Sequence, residues 1–285
     1  MSFSSDVKTE LGRQFGKSRH CQLAELSGIL EMDGKIVDGV LELNSDNPLL
    51  LQKYALLLQK AFDINISKAL SRGDWERVLS ALRWDEQSIG QPVDGLLVQQ
   101  TCCKRAFIRG AFMASGSISN PNKSYHFEIV CRTIEQAEQL QELMNGFEAD
   151  AKVVERKNHY VVYLKEGSQI VDMLNVMEAY VSLMNLENVR ILKEMRNSVN
   201  RKVNCETANI NKTVSAAVKQ IEDIRKIQAN GELEHLPDPL RQMAELRLEY
   251  PEATLAELGT YLDPPVGKSG VNHRLRKLSA IAEEL

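Results

Sequence analysis

The amino-acid sequence predicts an α+β fold in which one unit of helices and strands occurs twice, followed by a small all-helical domain. A helical segment that ends in glycine precedes a strand-like segment at residues 20–44 and again at residues 103–132. This recurrence indicates an internal duplication. Three short helical patterns follow residue 236 and predict the last domain. At 285 residues, the chain is long enough for each part to bury a core of its own.

The first repeat is centred on a helix that we expect from His20 to Gly34. Its leucine and isoleucine side chains share one side, and small residues such as Gly28 lie between them, which would let a second helix approach closely. The other elements expected here are an amphipathic helix at 3–16, a strand at 35–44, a helix from Pro48 to Phe62, and strand pieces from Ile64 to Leu70 and from Arg77 to Arg83.

The second repeat begins with a helix that we expect from Cys103 to Gly116. The elements expected after it are a strand from Tyr125 to Arg132, a helix from Glu135 to Phe147, a hairpin of Lys152 to Glu155 with Tyr160 to Leu164, and a helix from Ser168 to Met184. We expect the two repeats to pair through their glycine-containing first helices. The predicted domains are residues 1–90 and 91–188 for the two halves, 189–232 for a basic linker helix region, and 233–285 for the last domain.

Composition and charge exclude several classes of protein. The net charge of −4 argues against a protein that coats nucleic acid by overall charge, so any contact with DNA must come from local patches. The five cysteines form no Cys-x-x-Cys pair, which argues against zinc and thioredoxin-like sites and predicts free thiols in a reducing cytoplasm. We expect no metal and no cofactor. The sequence shows no signal peptide and no uncharged apolar run of bilayer length, so we expect no membrane association.

A basic stretch follows the duplicated part. Between Arg190 and Ala229, nine Lys or Arg residues stand against four Asp or Glu, a net charge of +5. A helix is expected from Thr213 to Ile227. Its inward positions would be Val214, Ala217, Val218, Ile221 and Ile224. Two interpretations stay open: a basic linker that contacts phosphates and positions the last domain, or a solvated helix between domains.

The last domain is predicted to hold three helices, from Pro239 to Glu249, from Leu255 to Leu262 and from Gly270 to Glu284. The expected capping residues are Asp238 for the first helix, Ser269 for the third, and a capping box of Thr254 and Glu257 for the second. Pro264 and Pro265 should stop the second helix, because neither donates a backbone hydrogen bond. These signals predict three short helices joined by tight turns.

The third helix is basic on an acidic chain. Residues 266–281 include four Lys or Arg and no acid, whereas Val271, Leu275 and Leu278 form an apolar stripe expected in the core. A short basic helix, held by a preceding helix across a turn, is typical of a helix-turn-helix that contacts DNA base edges. The alternative is a small helical subdomain whose basic face is only solvated.

Two segments in the duplicated part carry a family resemblance. Ser27 to Gly34 (SGILEMDG) and Arg109 to Gly116 (RGAFMASG) resemble the two LAGLIDADG motifs of homing endonucleases. The resemblance implies a pseudo-twofold saddle in which each motif helix ends in an acid, and the two acids hold divalent metals at the scissile phosphates. By position, Asp33 takes the acidic place in the first motif and Ser115 takes it in the second. Because a serine cannot replace a carboxylate as an anionic magnesium ligand, we expect the saddle to be kept and nuclease activity to be lost.

Three segments in order resemble the WhiA family of bacterial DNA-binding transcriptional regulators: the LAGLIDADG-like duplication, RKVNCETANINKT at 201–213, and DPPVGKSGVNHRLRKL at 263–278. The resemblance implies an inactive endonuclease scaffold fused to a helix-turn-helix that does most of the DNA recognition. The residues on which it places DNA contacts are Lys268, Ser269, Asn272, His273, Arg274, Arg276 and Lys277. The second-rank candidates for phosphate contacts are Arg201, Lys202, Asn204 and Lys212.

The function implied is a sequence-specific regulator that binds double-stranded DNA in the cytoplasm, at the nucleoid. Members of the family act in sporulation or in cell division and chromosome segregation, and a sigma factor or RNA polymerase is the protein partner implied. One alternative is a metal-dependent DNA endonuclease that uses a borrowed acidic residue. Another is a protein-interaction role in which the saddle binds polymerase or a sigma factor.

Overall fold

The structure, a computed structural model, describes residues 2–37, 40–65, 71–85 and 89–285. It divides into two compact units, Met1–Glu194 and Met195–Leu285. The first contains helices and sheets, and the second is helical, as the sequence predicts. One helix, α8 (Tyr180–Ala229), contains most of the predicted linker region 189–232. The division between the two units falls within this helix, after Glu194.

Most elements of the first unit follow the predicted order. Its helices before α8 are α1 (Phe3–Leu11), α2 (Arg19–Asp33), α3 (Pro48–Phe62), α4 (Arg72–Leu82), α5 (Thr101–Ser115), α6 (Ile134–Asn145) and α7 (Gly167–Val176). Its strands are β1 (Gly34–Val37), β2 (Val40–Leu43), β3 (Gly116–Ile118), β4 (Phe127–Cys131), β5 (Lys152–Arg156) and β6 (His159–Leu164). Both motif helices, α2 and α5, lead directly into a strand through glycine.

The two repeats carry sheets of different size within the described residues. Strands β1 and β2 pair antiparallel as a two-stranded sheet, so the single strand expected at 35–44 is wrong. The second repeat has a four-stranded antiparallel sheet in the order β3-β4-β6-β5. In β4, Phe127, Ile129 and Cys131 are buried on one face, which matches the period of two that predicted the strand.

The strand expected from Arg77 to Arg83 is also wrong, because this segment belongs to α4. The side chain of Ser71 caps that helix by accepting the amide of Asp74 at 3.3 Å, and Trp75, Val78 and Leu82 are buried at helical spacing. The strand expected from Ile64 to Leu70 falls mostly on residues 66–70, which lie outside the described part of the chain.

The helix expected from Ser168 to Met184 is interrupted. Helix α7 ends at Val176 and α8 begins at Tyr180. Between them, Glu178 has a φ of 68°, in the left-handed region, which ends regular helix geometry.

Helices α2 and α5 pack against each other at their glycines, which confirms the expected pairing of the repeats. A Cβ atom at Gly28 would lie 2.4 Å from the carbonyl oxygen of Phe107 on α5. A Cβ atom at Gly110 would lie 2.2 Å from the carbonyl oxygen of Glu25 on α2. Each helix therefore contacts the backbone of the other at the one residue type that leaves room for it.

A buried ion cluster lies beside this contact. Glu25 is fully buried, and its Oε1 lies 2.8 Å from Nζ of Lys53 on α3 and 2.9 Å from Nε of Arg109 on α5. Nη2 of Arg109 donates to Oε2 of Glu25 at 3.1 Å, and Nη1 donates to Glu178 at 2.7 Å. Glu25, Lys53 and Arg109 connect α2, α3 and α5 through buried charges, whereas the side chain of Glu178 is 37% exposed.

The second unit consists of the end of α8 followed by α9 (Asp238–Glu249), α10 (Leu255–Thr260) and α11 (Lys268–Glu284), with a short 3₁₀ turn at Leu233–His235. Its core residues are Ile224, Ile227, Met243, Ala244, Leu258, Leu262, Val271, Leu275, Leu278 and Ala282. Ile224 is buried as expected, but Val214 and Val218 are 54% and 48% exposed, so the inward face expected for that part of α8 is wrong there. None of the helices in the described residues is long and apolar enough to cross a membrane.

Candidate nucleic-acid interface

The helix-turn-helix is formed by α10, a tight turn and α11. The capping box expected before α10 is present: the amide of Glu257 donates to Thr254 Oγ1 at 3.3 Å, and the amide of Thr254 donates to Glu257 Oε2 at 2.7 Å. In the turn, the amide of Val266 donates to the carbonyl of Gly259 at 2.9 Å. A Cβ atom at Gly259 would lie 2.1 Å from Val266 O, so glycine is what permits this close approach.

The expected caps of the other two helices are corrected by the structure. Gly267 is the N-cap of α11, and Ser269 lies inside its first turn. Pro237 is the N-cap of α9, and Asp238 is its first residue, where the carboxylate accepts a hydrogen bond from Arg241 at 2.7 Å. Both helices start one or two residues earlier than their side-chain signals indicate.

Helix α11 separates its apolar and polar residues cleanly. Val271, Leu275 and Leu278 are at most 1% exposed and pack into the core, as predicted. Ser269, His273 and Arg276 are exposed and follow at intervals of four and three residues, so they share the opposite face, with Lys277 beside them. Helix α11 therefore presents a basic, polar surface, and its apolar side packs into the core of the second unit.

The structure brings three further candidates together in a cleft of the second unit. Lys212 from α8 lines this cleft with Lys268 and Asn272 from α11. Lys268 and Asn272 are four residues apart on one flank of α11. The cleft joins a lysine of the basic stretch to the start of the helix predicted to contact bases.

The remaining candidates lie outside this cleft. Arg274 is half-buried, and because it is two residues from both Asn272 and Arg276, it shares a face with neither. Arg201, Lys202 and Asn204 are exposed on α8, eight or more residues before Lys212, which corresponds to about 12 Å along a helix.

Sequence reasoning missed one residue that shapes the cleft. Arg247 of α9 lines it and is only 2% exposed. Its Nε donates to Gln220 Oε1 on α8 at 3.0 Å, and its Nη1 donates to the carbonyl of Ala253 at 2.6 Å. Burial lowers the pKa of this guanidinium. Arg247 is one of two arginines on α9, and nothing in the sequence indicates that it joins α8 to the loop before α10.

The motif ends in the first unit do not fit the divalent metal pair that the LAGLIDADG resemblance implies. Asp33 accepts a hydrogen bond from the amide of Ser45 at 3.0 Å, and Ser115 donates to the carbonyl of Ala111 at 3.4 Å. Burial raises the pKa of Asp33, and the positive charge of Arg132 opposes this. Lys8 also interacts electrostatically with Asp33. One carboxylate, one hydroxyl and two nearby cations are a poor donor set for hard divalent cations.

Arg132 takes part in the packing at this end of α2. Its Nε donates to Met32 O at 3.0 Å and its Nη1 donates to Gly34 O at 3.0 Å. It thus binds carbonyl oxygens at the C-terminus of the first motif helix, where a cation is favoured.

The buried carboxyl group of Glu31 should make the stability of the folded chain depend on pH. It is fully buried, and burial raises its pKa from 4.5 to about 8, against the opposing effects of the Val93 amide and Arg132. The folded chain keeps a proton that the unfolded chain releases, so the contribution of Glu31 to stability is full below pH 4.5 and is lost as the pH rises to about 8. We expect Glu31→Gln to remove this dependence. The free energy of unfolding of the variant, relative to that of the wild type, should rise by up to about 4 kcal/mol between about pH 5 and about pH 9.

Urea unfolding at the two pH values measures this effect. Glu138→Gln, at an exposed position of α6, is the matched control and should leave the pH dependence unchanged. Parallel pH profiles for the wild type and Glu31→Gln would contradict the expectation.

Two family models match this chain. The WhiA LAGLIDADG-like domain matches residues 104–196, and the WhiA C-terminal HTH domain matches residues 199–282. A "Probable cell division protein WhiA" of Lachnoclostridium phytofermentans is 49% identical over an alignment 311 positions long, which covers 100% of this chain and 99% of that protein. The chain belongs to the WhiA family. A protein of the same name from Lachnospira eligens is 48% identical and is covered to 98%.

A solved structure agrees with the fold. The crystal structure of full-length DUF199/WhiA from Thermatoga maritima matches with a TM-score of 0.62 at 24% identity, over 100% of this chain and 99% of that one. The HTH model of the WhiA family begins at residue 199, so it includes part of α8 together with α9, α10 and α11. Lys212 and the α11 candidates therefore belong to one family domain.

Proposed function

We propose that this WhiA-family chain is a sequence-specific regulator of transcription that binds double-stranded DNA through its second unit. The exposed, basic face of α11 carries the proposal, because the face lies on a helix-turn-helix and opposite its core. Ser269, His273 and Arg276 offer hydrogen-bonding groups for base edges, and Lys277 offers a charge for a phosphate. The match to the WhiA HTH domain supports the same assignment.

The process in which it acts is proposed from its relatives. Those from Lachnoclostridium phytofermentans and Lachnospira eligens are both named probable cell division proteins. We assign this chain to cell division and chromosome segregation, with sporulation as the process in a spore-forming host. Its place is the cytoplasm, at the nucleoid, and a sigma factor or RNA polymerase stays the predicted protein partner. Genome-wide occupancy in the native host tests this and yields the operator.

We expect Arg276→Ala to weaken binding to that operator by about 1–3 kcal/mol, because an arginine that pairs with guanine contributes about this much. Arg274→Ala is the matched comparison, since Arg274 is half-buried on another face of the same helix. Fluorescence anisotropy on operator and scrambled duplexes measures both variants. Equal losses for the two, or a loss for Arg276→Ala on both duplexes alike, would contradict base recognition by the exposed face.

Lys212 and Lys268 are proposed to contact phosphates from the cleft. We expect the double variant Lys212→Ala/Lys268→Ala to bind operator and scrambled duplex more weakly by the same factor. The slope of log affinity against log salt should fall by about 2, because each phosphate contact contributes about 0.9. Lys219→Ala is the control, since that lysine pairs with Glu283 at 3.3 Å. An unchanged salt slope would remove both lysines from the interface.

The saddle is proposed to lack nuclease activity, because the residues at the motif ends do not fit a metal pair. The competing function is a metal-dependent endonuclease. Purified chain incubated with duplex DNA and magnesium or manganese should leave the DNA intact. Cleavage that persists through purification and disappears in Asp33→Asn would establish the competing function instead.

A further inference from the structure

Four side chains with soft-metal ligand atoms meet where the two motif helices begin. His20 and Cys21 are the second and third residues of α2, and Cys102 and Cys103 are the second and third residues of α5. One ligand atom from each, the imidazole nitrogen or the three Sγ atoms, lies within 4.8 Å of all the others. Cys21 and Cys103 are buried, whereas His20 and Cys102 reach the surface.

The distances match those around a single tetrahedral zinc ion. Nδ1 of His20 lies 3.1 Å from Cys103 Sγ, 3.4 Å from Cys21 Sγ and 4.0 Å from Cys102 Sγ. Zinc bonds of about 2.0–2.1 Å to nitrogen and about 2.3 Å to sulfur, at tetrahedral angles, separate nitrogen from sulfur by about 3.6 Å. The observed values lie on both sides of that distance, so little movement is needed to place one ion among the four atoms.

The internal duplication explains why these residues meet. Cys21 lies seven residues before Gly28, and Cys103 lies seven residues before Gly110. These glycines mark where α2 and α5 contact each other's backbone. Equivalent positions of the two helices therefore face each other, although the two residue pairs are far apart in sequence.

The cluster is separate from the motif ends. His20 lies 13 residues before Asp33 on the same helix, which corresponds to about 20 Å. Its three thiols and one imidazole favour a soft or borderline metal, whereas the motif ends offer oxygen ligands.

We propose that His20, Cys21, Cys102 and Cys103 bind one zinc ion, which joins the first turns of α2 and α5 and stabilises the first unit. The ion has no open coordination position, as is typical of structural zinc. Zinc binding by residues this far apart stabilises the folded chain, because the unfolded chain does not assemble the site.

The full chain, expressed with added zinc and purified under reducing conditions, should contain one zinc per chain by elemental analysis. Cobalt titrated into the metal-free chain should give the intense visible absorption of tetrahedral, thiolate-bound cobalt. The double variant His20→Asn/Cys102→Ser changes only the two ligands at the surface and should lower zinc affinity on the order of 100-fold or more. Cys205→Ser, at an exposed cysteine outside the cluster, is the control and should bind like the wild type.

Circular dichroism checks that the variants are folded. A zinc content below about one tenth of an ion per chain after such expression would overturn the proposal. So would full zinc retention in the double variant, or recovery of a disulfide between α2 and α5 with no metal. Loss of zinc with operator binding retained would leave the proposed regulatory function standing.

Discussion

Replacing Gly110 with alanine is expected to lower the free energy of unfolding by about 3 kcal/mol or more, or to prevent folding. The added methyl carbon would lie 2.2 Å from the carbonyl oxygen of Glu25 and 3.3 Å from the amide nitrogen of Ile29. Both contacts are to the backbone of α2, which cannot move aside as a flexible side chain does. Forcing extra volume into a packed core usually costs about 1–3 kcal/mol, and a backbone clash at the centre of the unit exceeds that.

Gly28→Ala tests the reciprocal contact and should show a loss of similar size, because its Cβ would meet Phe107 O at 2.4 Å. Gly73→Ala is the control. It lies in α4, has nothing within 4 Å of the added carbon, and should be neutral or slightly stabilising. Chemical unfolding of the three variants measures the difference. A loss below about 1 kcal/mol for both Gly28→Ala and Gly110→Ala would show that the helices separate easily.

Glu25→Gln is expected to lower the free energy of unfolding by about 3–5 kcal/mol, because it leaves Lys53 and Arg109 buried without their shared counter-charge. Lys53 is fully buried, and the guanidinium of Arg109 is 2% exposed. Burial lowers the pKa of Lys53, and the carboxylate of Glu25 opposes that shift. In the variant, the amine is therefore expected to lose its proton more readily, which relieves part of the cost but leaves Arg109 charged.

Glu76→Gln provides the matched control for the ion cluster. Glu76 pairs with Arg72 at 3.3 Å on α4, where both side chains are more than half exposed, and the change should cost less than about 0.5 kcal/mol. Replacing Glu25, Lys53 and Arg109 together by methionine should recover most of the lost stability, since no buried charge then lacks a partner. A triple variant with a lower free energy of unfolding than Glu25→Gln alone would contradict this electrostatic account.

Much of the fold follows from local patterns along the chain. Helices α2, α3, α5 and α6 fall close to their expected positions because a helical period and its end signals lie within a few neighbouring residues. The sequence does not show that residues 35–44 form a hairpin, because both of its arms, β1 and β2, have strand-like composition. The strand expected from Arg77 to Arg83 is wrong although the local signal for α4 is present, since Trp75, Val78 and Leu82 have helical spacing and Ser71 is a typical N-cap residue.

The candidate sites show which features local sequence patterns predict and which they do not. The core stripe of α11 was predictable, and so was the surface opposite it, because both depend on one helical period. The cleft that joins Lys212 to Lys268 was not, since 56 residues separate them. The meeting of Cys21 with Cys103 depends on two helices packing in register. The spacing between the cysteines does not show it, although each lies seven residues before the glycine of its own motif helix. Contacts made across a domain need the fold to be known.

The cations around Asp33 limit how the motif ends can change. Exchanging Ser115 for an acid would supply the missing second carboxylate, yet the charges of Arg132 and Lys8 would still lie near the first. Because Arg132 also holds the carbonyls of Met32 and Gly34, removing it would loosen the end of α2. An acid at position 115 alone would therefore not give a carboxylate pair free of neighbouring cations, and removing Arg132 to free Asp33 would cost stability at the end of α2.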